Sequence, residues 1–300
     1  MNSSHRPVRA SRFVAAIAIA VALVVSGLSA QQGAKSFLWK VQSGARVMYL
    51  AGSIHALSQD VYPLNPAYQR AFEASDALVE EIDLAQADIL TAAPMLLSKG
   101  TFQDGRTFDS VVSKDTAAAV ASHLKNSPLP LELMQSMKPW MVAMILDAME
   151  MQQAGMDPNL GLDKHFFDEA TSSGKMVIGL ETAEYQIDRF DTMTMPMQEQ
   201  LLRSTIADID SEHKDLTTIV SAWRRGDAAA LEKTLLGSFK DSPAAYTSLV
   251  VERNHNWLPQ LDRCLARAKP CFVIVGAAHL VGPDGLLALL QRKGYRIEQQ

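Results

Sequence analysis

Apolar and polar positions alternate in two rhythms along this chain, and the switches between them outline its elements. "FLWKVQSGARVMYLAGSIH" (37–55) holds two apolar runs on either side of Ser43-Gly44 and predicts two strands joined by a tight turn. "YPLNPAYQRAFEASD" (62–76) predicts a helix, with Asn65 as N-cap and Pro66 at the first helical position. "ALVEEIDL" (77–84) returns to a strand, so the segment forms a strand–helix–strand unit. From about residue 85 to 175 apolar residues recur at three and four positions, broken by Gly, Pro and Ser. "KMVIGLET" (175–182) reads as a strand, residues 196–236 and 242–268 as helices, "CFVIVGAAH" (271–279) as a buried strand, "GPDGLLALLQRKG" as a helix and "YRIEQ" as a last strand. The fold class expected is α/β: a central mixed β-sheet flanked by helices, with a large helical insertion at about 85–175. Residues 31–300 are read as one domain, with no internal repeat.

The first thirty residues stand apart. Arg6, Arg9 and Arg12 precede the 13-residue apolar run "FVAAIAIAVALVV", and small residues follow in "SGLSA". This is the pattern of a secretory signal peptide, cleaved after Ala30, with an uncleaved N-terminal anchor as the alternative. Removing three arginines and no acid takes the formal charge from −5 to −8. An acidic chain with scattered charges is a poor nucleic-acid binder. The expected location is the periplasm or the cell exterior. In an oxidising compartment the two cysteines, Cys264 and Cys271 in "CLARAKPC", are expected to form a disulfide, the alternative being a thiol pair buried as small apolar groups.

Candidate chemistry lies at the strand ends. "YLAGSIH" and "VIVGAAH" share one grammar: an apolar strand, a glycine, two residues, then His55 or His279. In open α/β sheets active sites collect beyond the carboxyl ends of strands, and glycine there permits a turn or a close approach. Two such histidines can converge on one point. In "ALVEEIDL" three acids interrupt a buried strand pattern, Glu81 and Asp83 on one face and Glu80 on the other. Glu181 ends "GLET" in the same placement. Two imidazoles with one or two carboxylates make a ligand set for a divalent metal that leaves a position open for water. Arg253 suits a carboxylate or an anion. His123 and His213 read as surface residues, and His165 and His255 as helix-surface or satisfied polar groups. Seven of the fourteen methionines fall within 134–156 at near-helical spacing. They read as a deformable apolar helix face or the lining of an apolar groove rather than a copper site.

These stretches, with "MKPW", "GLDKHFFDEATSSGKMVIGLET", "WRRGD", "ERN" and "FVIVGAAHLVGPDGLLALLQRKGYRIE", resemble the TraB/GumN family, which is related to the Tiki metalloproteases. The resemblance runs from about residue 36 to the end of the chain. It places the family's two G-x-x-H motifs on Gly52–His55 and Gly276–His279, its strand glutamate on Glu81, with Glu80 as the fallback, and its downstream arginine on Arg253. It implies a metal site of His55, Glu81 and His279, and metal-dependent hydrolysis of peptide bonds in a peptide or protein substrate. Glu81, Glu181 and Arg253 would then be catalytic. Manganese or cobalt is the divalent metal ion it implies, with zinc or iron as alternatives. It also implies a scaffold similar to erythromycin esterases and haem-binding lipoproteins, which keeps a non-catalytic haem-, metal- or peptide-binding role open. The C-terminal membrane segment of some family members has no counterpart here.

Overall fold

In the computed structural model, β1 (Leu38–Ser43) and β2 (Arg46–Ser53) form the hairpin that the Ser43-Gly44 turn predicts. Described are residues 35–86, 89–125, 130–210 and 216–300; residues 1–30, where a signal peptide is expected, and His213 lie outside them. α1 (Pro66–Glu73) starts where its sequence says it should, with the Asn65 side chain accepting from the Ala67 N–H at 2.9 Å. β3 (Ala77–Ile82) follows. Then come α2 (Ile89–Gly100), α3 (Phe108–Val111), α4 (Lys114–Leu124), α5 (Leu131–Met134), α6 (Pro139–Gln153) and α7 (Leu162–Ser173). β4 (Met176–Glu181) leads into α8 (Ala183–Asp191), α9 (Met195–Asp210), α10 (Leu216–Arg224), α11 (Ala228–Gly237) and α12 (Pro243–Tyr246). A π-helical turn, Thr247–Val251, runs directly into α13 (Glu252–Leu265). β5 (Cys271–Gly276), a 3-10 turn at Ala277–His279, α14 (Leu286–Arg292) and β6 (Arg296–Gln299) complete the chain.

The six strands form one mixed sheet in the order β4-β3-β5-β2-β1-β6. β4, β3, β5 and β2 run parallel, and β1 pairs antiparallel with both β2 and β6. The carboxyl ends of all four parallel strands therefore emerge on the same edge. β5, the last of the four parallel strands along the chain, sits in the middle with every residue buried, as an unbroken apolar run predicts.

Each sheet face has its own cover. On one, Phe72 of α1 and Phe166 of α7 pack their rings on Phe272, with centroids 5.9 and 4.9 Å away. On the other lies α13, whose Cys264 meets Cys271, one position before Phe272 and so on the opposite face. Leu78 is in register with Phe272, so Glu80 faces the α7 layer and Glu81 the α13 layer. A second apolar core, around Trp140, Val142, Leu146 and Leu202, lies within the helical block. It joins α4 and α6 to α8 and α9, whereas α7 belongs to the sheet layer through Leu162, Phe166 and Ala170.

Two expectations on side chains resolve here. Cys264 and Cys271 are free thiols, not a disulfide: both are buried and meet as a hydrogen-bonded pair, which satisfies two small side chains without a covalent link. Met134, Met137 and Met141 are buried in the helical core, while Met144, Met151 and Met156 line a groove of about 790 Å³. Among the described residues no helix is long and apolar enough to cross a membrane.

Candidate active site

Beyond the carboxyl edge of the parallel strands lies a cavity of about 430 Å³, bordered by Ser53, His55, Glu80, Glu81, Asp163 and Gln186. Beside it, next to His55 and Glu81, stands Gly276, the last residue of β5. A Cβ on Gly276 would stand 3.1 Å from His55 Nε2, 3.2 Å from Glu81 Oε1 and 3.6 Å from His279 Cδ2. Three side chains from three strand ends thus converge above one bare α-carbon. A methyl group here would crowd these side chains by a few tenths of an ångström; the backbone itself, with φ −51°, is open to any residue.

Both histidines are oriented by a side-chain oxygen on Nδ1. The Asn254 amide nitrogen donates to the carbonyls of His279 (3.1 Å) and Asp284 (2.8 Å), so its Oδ1 is the acceptor facing His279 Nδ1 at 2.8 Å. His279 is therefore the Nδ1–H tautomer, and its Nε2 lone pair accepts from Arg253 at 3.0 Å. Burial pulls its pKa down to about 3, with Arg253 acting in the same direction and Glu81 opposing, so the ring is neutral. His55 Nδ1 lies 3.3 Å from Asp163 Oδ1, an atom that also accepts from Ser53 at 2.5 Å. Burial lowers the His55 pKa, but the charge and hydrogen bond of Asp163, with Glu81 behind them, carry it above the ordinary imidazole value. The side chain keeps 59% of its surface exposed, so solvent screens part of each effect. Gly161, ahead of α7, makes this pairing reachable: a Cβ there would fall 2.3 Å from the His55 carbonyl oxygen.

The carboxylates separate by role. Glu81 Oε1 accepts the Gly276 N–H at 2.7 Å, and Oε2 accepts from Arg253 and from Gln186 at 3.0 Å. Burial opposes its ionisation, but the Arg253 guanidinium, the two histidines and the Gly276 N–H outweigh it and hold the carboxyl well below the usual range. Glu181 Oε1 receives Arg253 Nε at 2.9 Å, and its Oε2 receives the Trp257 N–H at 3.0 Å. Arg253, 6% exposed, thus sits between two carboxylates and a histidine, with its guanidinium 4.8 Å from the Trp257 ring centroid. It also donates to the Leu249 carbonyl at 3.0 Å, within the π-helical turn. Such turns widen a helix by one residue and often mark functional sites.

Glu80 behaves differently. It is 2% exposed, borders the cavity, and neither of its oxygens has a hydrogen-bond partner. Burial, reinforced by Asp163, Asp83 and Glu81, pushes its pKa up to about 9, so it is a neutral acid near pH 7.

The structure therefore places His55, Glu81, His279, Glu181 and Arg253 in one connected network, and Glu81 rather than Glu80 beside the histidines. The sequence reading did not single out Asp163, Asn254, Gln186 and Trp257 as parts of it. The first two lie inside the quoted blocks "GLD" and "ERN", and position alone does not reveal which partner each meets. His165 packs against Tyr62 and Phe166 and takes no part.

A family model described as the TraB/PrgY/gumN family matches residues 37–299. This chain belongs to the TraB/PrgY/gumN family. Among its curated relatives are the proteins named YbaP from Escherichia coli (strain K12) and from Shigella flexneri. Each is 27% identical over 254 residues, covering 83% of this chain and 89% of the relative. No solved structure matches. For the TraB/PrgY/gumN member described here, the matched span takes in every side chain of the network, from His55 to His279.

Proposed function

We propose that the chain is an exported hydrolase, dependent on a divalent metal ion and acting on peptide bonds. The observation that carries this reading is the convergence of His55, Glu81 and His279 on the space above Gly276. The donors fit an ion in kind. Each histidine directs Nδ1 to a side-chain oxygen and Nε2 toward the shared space, the arrangement by which an outer partner orients a metal-ligating imidazole. Glu81 Oε1 and His279 Nε2 stand 3.8 Å apart, within the span of two ligands of one ion. His279 Nε2 is engaged by Arg253, and among the described residues no group of three or more His, Cys, Asp or Glu is closed to metal-holding distances. Ion entry thus requires Arg253 to release His279.

His55, Glu81 and His279 would hold the ion. When bound, it supplies a Lewis acid and lowers the pKa of water. Asp163 keeps the His55 proton on Nδ1, and Asn254 does the same for His279. Glu181 holds Arg253 beside the cavity, where its guanidinium can face a developing oxyanion. Glu80, a neutral acid, borders the cavity.

The test is elemental analysis of mature protein purified without chelators, beside a His55→Ala, His279→Ala double variant, followed by a peptide-hydrolysis screen with each ion restored. Near-stoichiometric manganese, cobalt, iron or zinc in the wild type alone, with hydrolysis that needs that ion, is the expected result. Equal metal content in both proteins, or no hydrolysis after reconstitution, would overturn it and favour a binding role.

A further inference from the structure

Glu80 is the anomaly of the cavity. Other acids around it have partners: Asp83 accepts from the Ala85 N–H and the Gln86 amide. Glu81 and Glu181 share Arg253, Asp163 faces His55, and Lys164 is paired with Asp168 at 2.5 Å. Glu80 has no ion-pair or hydrogen-bond partner: the charge of His55 reaches it, but its two oxygens are buried and unbonded in a wall of the cavity. A buried carboxyl without a partner is costly, and one kept in a native site calls for an explanation, a bound water, ion or ligand group among them.

We propose that Glu80, together with Asp163, forms a recognition site for a primary ammonium group of the substrate, either a free amino terminus or a lysine side chain. The inference rests on the hydrolase reading above and names its substrate class. An ammonium carries three donors and no acceptor. With an ammonium beside it Glu80 gives up its proton to solvent and then offers two acceptor oxygens, and the contacts of Asp163 with Ser53 and His55 both go to Oδ1, which leaves Oδ2 for a third donor. Hydrogen bonds of about 2.8 Å suit acceptors spaced more widely than a metal ion at about 2.1 Å allows. The placement also links recognition to chemistry. Glu80 and Glu81 are adjacent on β3 and face opposite layers, and His55, paired to Asp163 and bordering Gly276, acts electrostatically on both. An amine held by Glu80 and Asp163 puts the next stretch of its chain against His55.

The experiment is a calorimetric titration of the mature protein and of Glu80→Gln with three probes: alaninamide, N-acetylalaninamide and Nα-acetyl-lysinamide. Wild type is expected to bind at least one ammonium probe about tenfold or more tightly than N-acetylalaninamide. Preference for alaninamide identifies the amino terminus, and preference for acetyl-lysinamide the side chain. Glu80→Gln is expected to lose that preference while melting no lower than wild type, which separates lost recognition from lost folding. Equal binding of all three probes, no binding of any at millimolar concentration, or a preference that survives in Glu80→Gln would overturn the proposal. Turnover plays no part in the readout: ammonium-dependent binding without hydrolysis sinks the hydrolase reading and leaves this site standing, and hydrolysis with no ammonium preference does the reverse.

Discussion

At the scale of single residues, Arg253 is the hinge of the site. Its guanidinium is the internal cation that lets Glu81 and Glu181 lie buried side by side. Removing one partner of a buried ionic network typically destabilises by about 3–5 kcal/mol. Arg253→Met is expected to lose that much in metal-free protein and to regain part of it when manganese or cobalt is added, because the ion then supplies the missing charge. Wild type should gain less. Thermal melts with and without the ion check this, and an unresponsive variant would show that the ion binds elsewhere. Glu80 predicts the opposite sign. Its folded pKa of about 9 lies above its ordinary 4.5, so the folded state holds a proton that the unfolded state releases. The resulting penalty is absent below about pH 4.5, grows as pH rises and is complete above about pH 9. Glu80→Gln should therefore match wild type near pH 4 and exceed its stability near pH 8, by an amount on the order of 1–3 kcal/mol. Urea melts at the two pH values read it directly.

At the scale of elements, the site is the product of how β5 ends. Gly276 gives its N–H to Glu81 and its bare α-carbon to three side chains, and the 3-10 turn after it brings His279 back against α13. Gly276→Ala keeps an allowed backbone and a buried strand but puts a methyl group at 3.1–3.2 Å from His55 Nε2 and Glu81 Oε1. Metal affinity is expected to fall about 10–100-fold, the range found when ligand orientation is disturbed. The melting temperature should change far less than in a core variant. Isothermal titration with manganese, alongside circular dichroism, tests both halves. α13 does comparable work from the facing side: Arg253, Asn254 and Trp257 lie within two turns of one another and reach Glu81, His279 and Glu181 respectively. The π-helical turn ahead of it is part of that aim, since its Leu249 carbonyl holds the guanidinium.

At the scale of the whole molecule, two cores divide the work. The sheet with α1, α7 and α13 carries the site, and the helical block around Trp140 and Leu202 stands beside it with an apolar centre of its own. Trp140→Ala, at a fully buried position, should remove about 3–5 kcal/mol. Hydrogen exchange should then rise first in 139–153 and 195–210 and last in β5; uniform loss of protection would mean that the two cores unfold as one. Much of this plan was legible in the chain itself. Apolar runs bounded by turn residues mark β1, β2 and β3, the Asn65-Pro66 cap marks α1, and the unbroken apolar run marks β5, because these signals are local. The glycine–histidine pairs were legible too, since a strand end followed by a small residue and a histidine occurs twice. Three matters were decided only by tertiary structure. Whether Glu80 or Glu81 meets the histidines depends on which helix covers which face of β3, and no local pattern encodes that. Cys264 and Cys271 carry no sign in their spacing of whether they bond or pack. Asp163 and Asn254 lie 108 and 25 residues from the histidines they orient, and Glu181 lies 72 from Arg253. Sequence alone determined the strands, the caps and the residue types available for chemistry, because backbone preference and burial period act within a few residues. The fold determined their partners, because a hydrogen bond or an ion pair is set by distance in space, and only the sheet order β4-β3-β5-β2 brings those strand ends to one edge.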